Sequence, residues 1–251
     1  MNAYSSTPPR WLGVVSVISV LIAWEAACRL GAVPPALLPS VSTIAERIGA
    51  FLTDPYLVAQ LLTTLKRLAA GLFLAVIFGV AVGIVASMFR FTAKMLEIVI
   101  GLLAPLPKIA LYPALLLSLG FDDAPKIALV AIDALFPILI ATFQAVKLVD
   151  SKLLWSAASM GTSRMRTVYK IILPACLPAI ITGIRVGAVI ACIVVLLAEM
   201  LASTNGLGHV LVSASRSFRS ADMFVPIIIM SLIGFCLDKA LAHVAQKIAR
   251  R

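Results

Sequence analysis

Hydrophobic residues in this 251-residue chain do not alternate, nor do they recur as one stripe of an otherwise polar helix. They gather into runs of roughly 20 residues separated by short polar stretches. The runs cover about residues 11–30, 67–88, 95–119, 126–146, 171–201 and 223–242. At 1.5 Å per residue each is long enough to cross the ~30 Å hydrocarbon core of a bilayer. Such runs have no polar face to turn to water, so the pattern predicts an all-α integral membrane protein. About six spans would form one membrane domain over 1–251.

The interruptions carry information of their own. The stretch after the first run contains Pro34, Pro35 and Pro39 and belongs outside the lipid. Within it Thr43 and Glu46 have capping-box spacing, and Ile44, Ile48, Phe51 and Leu52 follow on one helical face, which predicts a short helix at the membrane surface. Gly79 and Gly83 in the second run have GxxxG spacing, which admits a close neighbouring helix. Pro105, Pro107 and Pro113 imply that the third run is kinked or broken. Backbone groups freed there need protein or a watery cavity beside them, so Pro105 and Pro107 are candidates for lining a pathway as well as for a structural kink. Arg10 and the sequence Ala26-Ala27-Cys28 loosely resemble a lipoprotein leader, but Glu25 stands where such sites want an aliphatic residue, and a retained first span is expected.

Composition narrows the class. With 62% hydrophobic residues, 13% charged and a mean hydropathy of +1.09, a soluble domain would leave much apolar surface without a core. The net charge of +10 is not interleaved with aromatic residues, so no nucleic-acid partner is expected. The excess is instead an orientation signal. With the N-terminus inside, inner segments hold 11 basic residues and outer segments hold 7, which places both termini in the cytoplasm. Cys28, Cys176, Cys192 and Cys236 lack CxxC spacing, and His209 and His243 stand alone. No metal-ligand set, catalytic set or cofactor site is expected on this chain.

One segment is not a span and is too long for a simple turn: residues 147–170. Leu153-Leu154-Trp155-Ser156-Ala157-Ala158-Ser159-Met160 reads as a short helix stopped by Gly161. A second turn follows from Ser163 with Arg164, Arg166 and Lys170. Small residues let a helix sit deep in a partner's groove, and the flanking bases suit acidic groups there. The same helix pair would also suit a surface of anionic lipid.

Here the sequence resembles the permease subunits of ABC importers. That family carries a cytoplasmic loop of the form Glu-Ala-Ala, three residues, Gly, nine residues, Ile, one residue, Leu-Pro. Aligned on Gly161, Ile171, Leu173 and Pro174 fall at the family's spacing, with Trp155, Ser156 and Ala157 under Glu-Ala-Ala. Trp155 thus stands where the family has its glutamate. Further along, Thr182-Gly183-Ile184-Arg185, Ala198-Glu199-Met200-Leu201 and Gly206-Leu207-Gly208 run in the order of the nitrate, sulfonate, taurine and bicarbonate branch. Pro39-Ser40-Val41-Ser42-Thr43-Ile44 is similar too, so the resemblance covers nearly the whole chain.

The resemblance implies a type I ABC importer permease fold without catalysis of its own. It implies ATP-binding cassette subunits that bind ATP and Mg, an extracytoplasmic substrate-binding protein, and a second permease copy in the inner membrane. Leu154, Trp155, Ser156, Ala157, Ala158, Met160, Gly161, Thr162, Ser163 and Arg164 would then meet the ATPase as a coupling helix and its turn. The chain has no P-loop, because none of its 14 glycines precedes a lysine.

Charges within the runs complete the candidate list. Arg185 lies ~21 Å along the fifth run, and Asp133 ~10 Å from the outer end of the fourth. Arg185 either neutralises Asp133 or lends positive potential to an anion path. Glu199 is expected near the outer end of the fifth run, a candidate for the pathway through a gate or a binding-protein contact, with solvent exposure the plainer account. A transporter or channel working alone would also suit the broken third run, but gives no reason for the Gly161 loop. An intramembrane enzyme fits least well.

Overall fold

The computed structural model describes residues 10–34 and 37–249. Pro35, and Arg250 and Arg251, two of the 11 basic residues counted on the inner side, lie outside the described residues. Every regular element among the described residues is helical: α1 (Arg10–Arg29), α2 (Val41–Thr53), α3 (Pro55–Ser87), α4 (Arg90–Leu103), α5 (Tyr112–Leu119), α6 (Asp123–Lys147), α7 (Ser151–Ser159), α8 (Arg164–Thr167), α9 (Leu173–Ala202), α10 (Leu207–Arg216) and α11 (Ser220–Ala249). A 3₁₀ turn at Lys108–Leu111 precedes α5, and a wide π-turn at Val168–Ile172 joins α8 to α9.

Five stretches are long and apolar enough to cross a membrane: α1, α3, α6, α8 through α9, and α11. The third run is no single rod. It is α4 followed by Lys108–Leu119, with the two arms bent by 87° at the Pro105/Pro107 break, and the pair makes a sixth crossing if counted as one. The second run starts at Pro55, 12 residues before Arg67. The signal for that start is local: Asp54 accepts from the Tyr56 amide at 2.8 Å, and Pro55 at the first helical position has no N–H to leave unsatisfied.

The chain divides into two units, Met1–Ala59 with Val210–Ile228, and Gln60–His209 with Ile229–Arg251. In the first unit Glu25 of α1 accepts from Arg29 Nε at 2.7 Å and from Ser42 Oγ at 2.8 Å, which ties α1 to the start of α2. The N-cap of α2 is Ser40, whose hydroxyl accepts from the Thr43 amide at 3.2 Å, so the Thr43/Glu46 box expected from spacing is displaced by one cap earlier in the chain. Ile44 and Phe51 are buried as that face requires, while Leu52 is exposed. Trp24 stacks edge-on to Phe224 at 5.8 Å.

The second unit is organised around α6. Leu129, Val130, Ala134 and Ile138 are fully buried. Gly71, Gly79 and Gly83 of α3 lie against Val130, Ile138 and Thr142 in ascending order, so α3 runs parallel to α6. Gly183 and Gly187 of α9 lie against Ala141 and Ala134 in descending order, so α9 runs antiparallel. Lipid supplies no hydrophobic drive between helices, and the missing side chains are what let these backbones meet.

Candidate functional site

The Lys147–Leu173 connection folds as two short helices on the end of the bundle. Asp150 caps α7 by accepting from the Lys152 amide at 2.9 Å, and Ser163 caps α8 by accepting from the Arg166 amide at 3.4 Å. Gly161 between them has φ 68°, the left-handed conformation that L side chains avoid. A Cβ there would meet nothing within 4 Å, so the backbone angle alone selects glycine. α7 is seated by its inward face: Leu154 packs on the cluster of Ile84, Val168, Ile172, Cys176 and Ile180, and Ala157 is buried. Ala157 is therefore removed from the partner-facing set that the sequence suggests, because its side chain is spent on this chain's own core. Thr162 and Leu154 are half-buried; Ser156, Ala158, Ser163 and Arg164 point outward. Trp155 and Met160 are each 73% exposed, large apolar side chains left bare among the described residues.

At the span break, Pro105 and Pro107 are exposed and leave carbonyls without helical partners. Lys108 Nζ donates to Ala104 O at 3.2 Å and to Leu106 O at 3.5 Å, lies 4.4 Å from the Phe136 ring centroid, and pairs with Asp133 at 3.6 Å. Asp133 is thus neutralised by Lys108 and not by Arg185. Arg185 pairs instead with Asp238 of α11, Nε to Oδ1 at 2.9 Å and Nη2 to Oδ2 at 3.2 Å. The expected Arg185–Asp133 pairing is replaced by two others, in which α11 supplies the acid for Arg185 and Lys108 the base for Asp133. The side chains of this pair are 33% and 29% exposed.

The most buried polar assembly lies at the end of α6 and α9 away from the loop. Glu199 is 1% exposed, the reverse of the solvent exposure expected for it. It accepts from Arg67 Nη1 at 2.7 Å, from Thr64 Oγ1 at 2.9 Å and from the Gly208 amide at 2.9 Å. Arg67, also 1% exposed, donates from Nε to Asp123 Oδ1 at 2.7 Å. Its Nη2 reaches the same carboxylate oxygen at 2.6 Å and the Asn205 side-chain oxygen, and its Nη1 reaches Asn205 O at 3.1 Å. All three guanidinium nitrogens are engaged, which is what burial of a charge demands.

The three successive amides of Gly206, Leu207 and Gly208 are taken by Gln60 Oε1 at 2.6 Å, Thr64 Oγ1 at 2.8 Å and Glu199 Oε2. A Cβ on Gly206 would overlap the Glu199 carboxylate, and one on Gly208 would stand 2.5 Å from Glu199 Cβ. Arg67 escaped the sequence reading because hydropathy set the span's edge at that residue. The Asp54-Pro55 start signal would have placed it a full three turns inside a helix.

Residues 68–250 match the family described as binding-protein-dependent transport system inner membrane component. A permease of Bacillus subtilis (strain 168) named for aliphatic sulfonates transport is 30% identical over 96% of this chain and 87% of its own length. The taurine transport system permease protein of Escherichia coli (strain K12) is 27% identical over 94% of this chain and 88% of its own. In structure, a chain of the inward-facing MetNI methionine ABC transporter superposes with a TM-score of 0.67 at 16% identity, covering 77% of this chain and 96% of that one, which is a likeness of fold. The matched length, the sulfonate and taurine relatives and the shared fold agree with the loop geometry: the chain belongs to the binding-protein-dependent transport system inner membrane components, the membrane-spanning permease subunits of ABC importers.

Proposed function

We propose that this permease imports a small organic anion of the sulfonate class, in a complex of two permease copies, separate ATPase subunits and an extracytoplasmic binding protein. ATP and Mg act on the ATPase subunits. Nitrate and bicarbonate are the alternative anions of the same branch. The substrate class rests on the relatives named for sulfonates and taurine. The observation that carries the ATP-coupled reading is α7: a helix seated on the bundle through Leu154 and Ala157 while presenting Trp155 and Met160 bare, beside Arg164 and Arg166. Exposed apolar knobs flanked by charge suit a protein groove. With Trp155 in place of the family's glutamate, the contact is proposed to be apolar where the family's would be ionic.

Both termini are assigned to the cytoplasm, with α7 on that side. Of the 7 basic residues first counted outside, Arg67 and Lys126 are buried, which leaves 5 against 11 inside. The half-exposed Arg185–Asp238 pair supports a watery path or a partner copy beside α9 and α11, since such a pair is costly against lipid.

The experiment is co-purification from native membranes, followed by uptake of radiolabelled taurine and ethanesulfonate in proteoliposomes. A stable complex with an ATPase and ATP-dependent uptake of a sulfonate are expected. Uptake by the purified chain alone would point to a transporter that works without ATP. Trp155→Ala and Met160→Ala are expected to lower ATPase retention at least tenfold, about the loss of 1.4 kcal/mol or more of binding, without changing membrane insertion.

A further inference from the structure

The loop that carries α7 receives α6 and gives rise to α9, so the three form a hairpin. Its arms are about 36 Å from Lys147 back to Asp123 and about 39 Å from Leu173 to Glu199, at 1.5 Å per residue. At the end away from the loop both arms are gripped by one side chain. Arg67 of α3 holds Asp123, the first residue of α6, at 2.6 Å and Glu199, in the last turn of α9, at 2.7 Å. The hairpin is closed by peptide at one end and by a guanidinium at the other. Along its length α3 and α9 lie against α6 through Gly79 and Gly187, both in contact with Ile138, so the arms have little room to slide.

An open hairpin pushed at its loop can splay at its free ends. A closed frame moves as one body, and rigid-body motion is what alternation between two access states uses. Lys66, also on α3, adds a longer ion pair to Asp123 Oδ2 at 3.5 Å, with its side chain largely in the open. Lys126 caps the neighbouring carbonyls of Phe121 and Asp122 at 2.9 and 2.7 Å, so it does not compete with Arg67 for Asp123. A lysine at position 67 would bring three donors to a set of acceptors that uses five.

We propose that Arg67 is a positioning residue for transport: it closes the α6–α9 frame at the end opposite α7, so that displacement of the loop reaches the Gly206–Gly208 turn without the arms parting. The inference rests on the ATP-coupled reading above.

The test uses the complex of the full chain with its ATPase in nanodiscs. Hydrogen exchange is read with and without ATP and vanadate, and hydrolysis is measured on the same samples. In the unmodified protein, amides 203–208 stay protected in both states, and segment 112–122 changes its exchange on trapping. Arg67→Met is expected to hydrolyse ATP within about twofold per assembled complex, to exchange amides 203–208 at least about a hundredfold faster, and to lose the trapping response at 112–122. Arg67→Lys should fall between. Retention of the trapping response by Arg67→Met, once its 203–208 amides have opened, overturns the proposal and leaves the grip a stabilising contact only. Should Arg67→Met not assemble, the isosteric Glu199→Gln decides: a lost response supports the frame, and a normal one overturns it. Absence of any nucleotide response in the unmodified protein removes the ATP-coupled reading itself, and the inference with it.

Discussion

Arg185 lies about 18 Å from the start of α9 and Asp238 about 27 Å from the start of α11. Their two-point pairing keeps both charges tolerable at that depth. Arg185→Gln is expected to lower the melting temperature, by less than the loss at a fully buried pair because about a third of each side chain is exposed. Arg185→Gln with Asp238→Asn should recover more than half of that loss, read as thermal unfolding in detergent; a double variant no better than the single would show that the pair is not what is lost. Lys108 does different work, since its ammonium serves the carbonyls of Ala104 and Leu106 as well as Asp133. Lys108→Met should therefore destabilise more than Asp133→Asn, in the same assay, because it leaves two kinds of partner unmatched.

Among the elements, α6 is the one that tolerates least change, and glycine substitutions test this directly. A Cβ at Gly187 would stand 2.9 Å from the Ala134 carbonyl oxygen, a backbone atom that cannot swing aside. Gly187→Ala is expected to cost about 1–3 kcal/mol, whereas Gly101→Ala in α4, where nothing lies within 4 Å, should be neutral or gain up to ~1 kcal/mol. The comparison of melting temperatures needs no functional assay. How much of this was legible follows from the range of the forces involved. The apolar runs, the helix before Gly161 and the Gly79/Gly83 spacing are written in residues close in sequence, and reading along the chain finds them. The partners of Arg185, Asp133 and Glu199 are set by which helices become neighbours, and no local pattern encodes that choice. The early start of α3 was legible in Asp54-Pro55, but a hydropathy window averages over such a signal. α10 was hidden because Gly206-Leu207-Gly208 looks like a loop, although these glycines are there to admit Glu199.

For the whole molecule the orientation is the first thing to measure. A fluorescent protein fused after Arg251 should fluoresce, and a thiol probe that does not cross membranes should label Trp155→Cys only after the membrane is opened, in a background lacking the four native cysteines. Labelling from outside would reverse the assignment and move the ATPase contact away from α7. The π-turn between α8 and α9 bears on how α7 is aimed. Val168–Ile172 accommodates one more residue than an α-turn of the same rise would hold. Winding the same five residues as ordinary α-helix would add about one residue's rotation, about 100°, to everything before them about the axis of α9, whereas deleting one residue along with that rewinding would leave the phase nearly as it is. The loop thus has a defined phase as well as a defined place, and the chain keeps that phase in a turn that ordinary helical winding would erase.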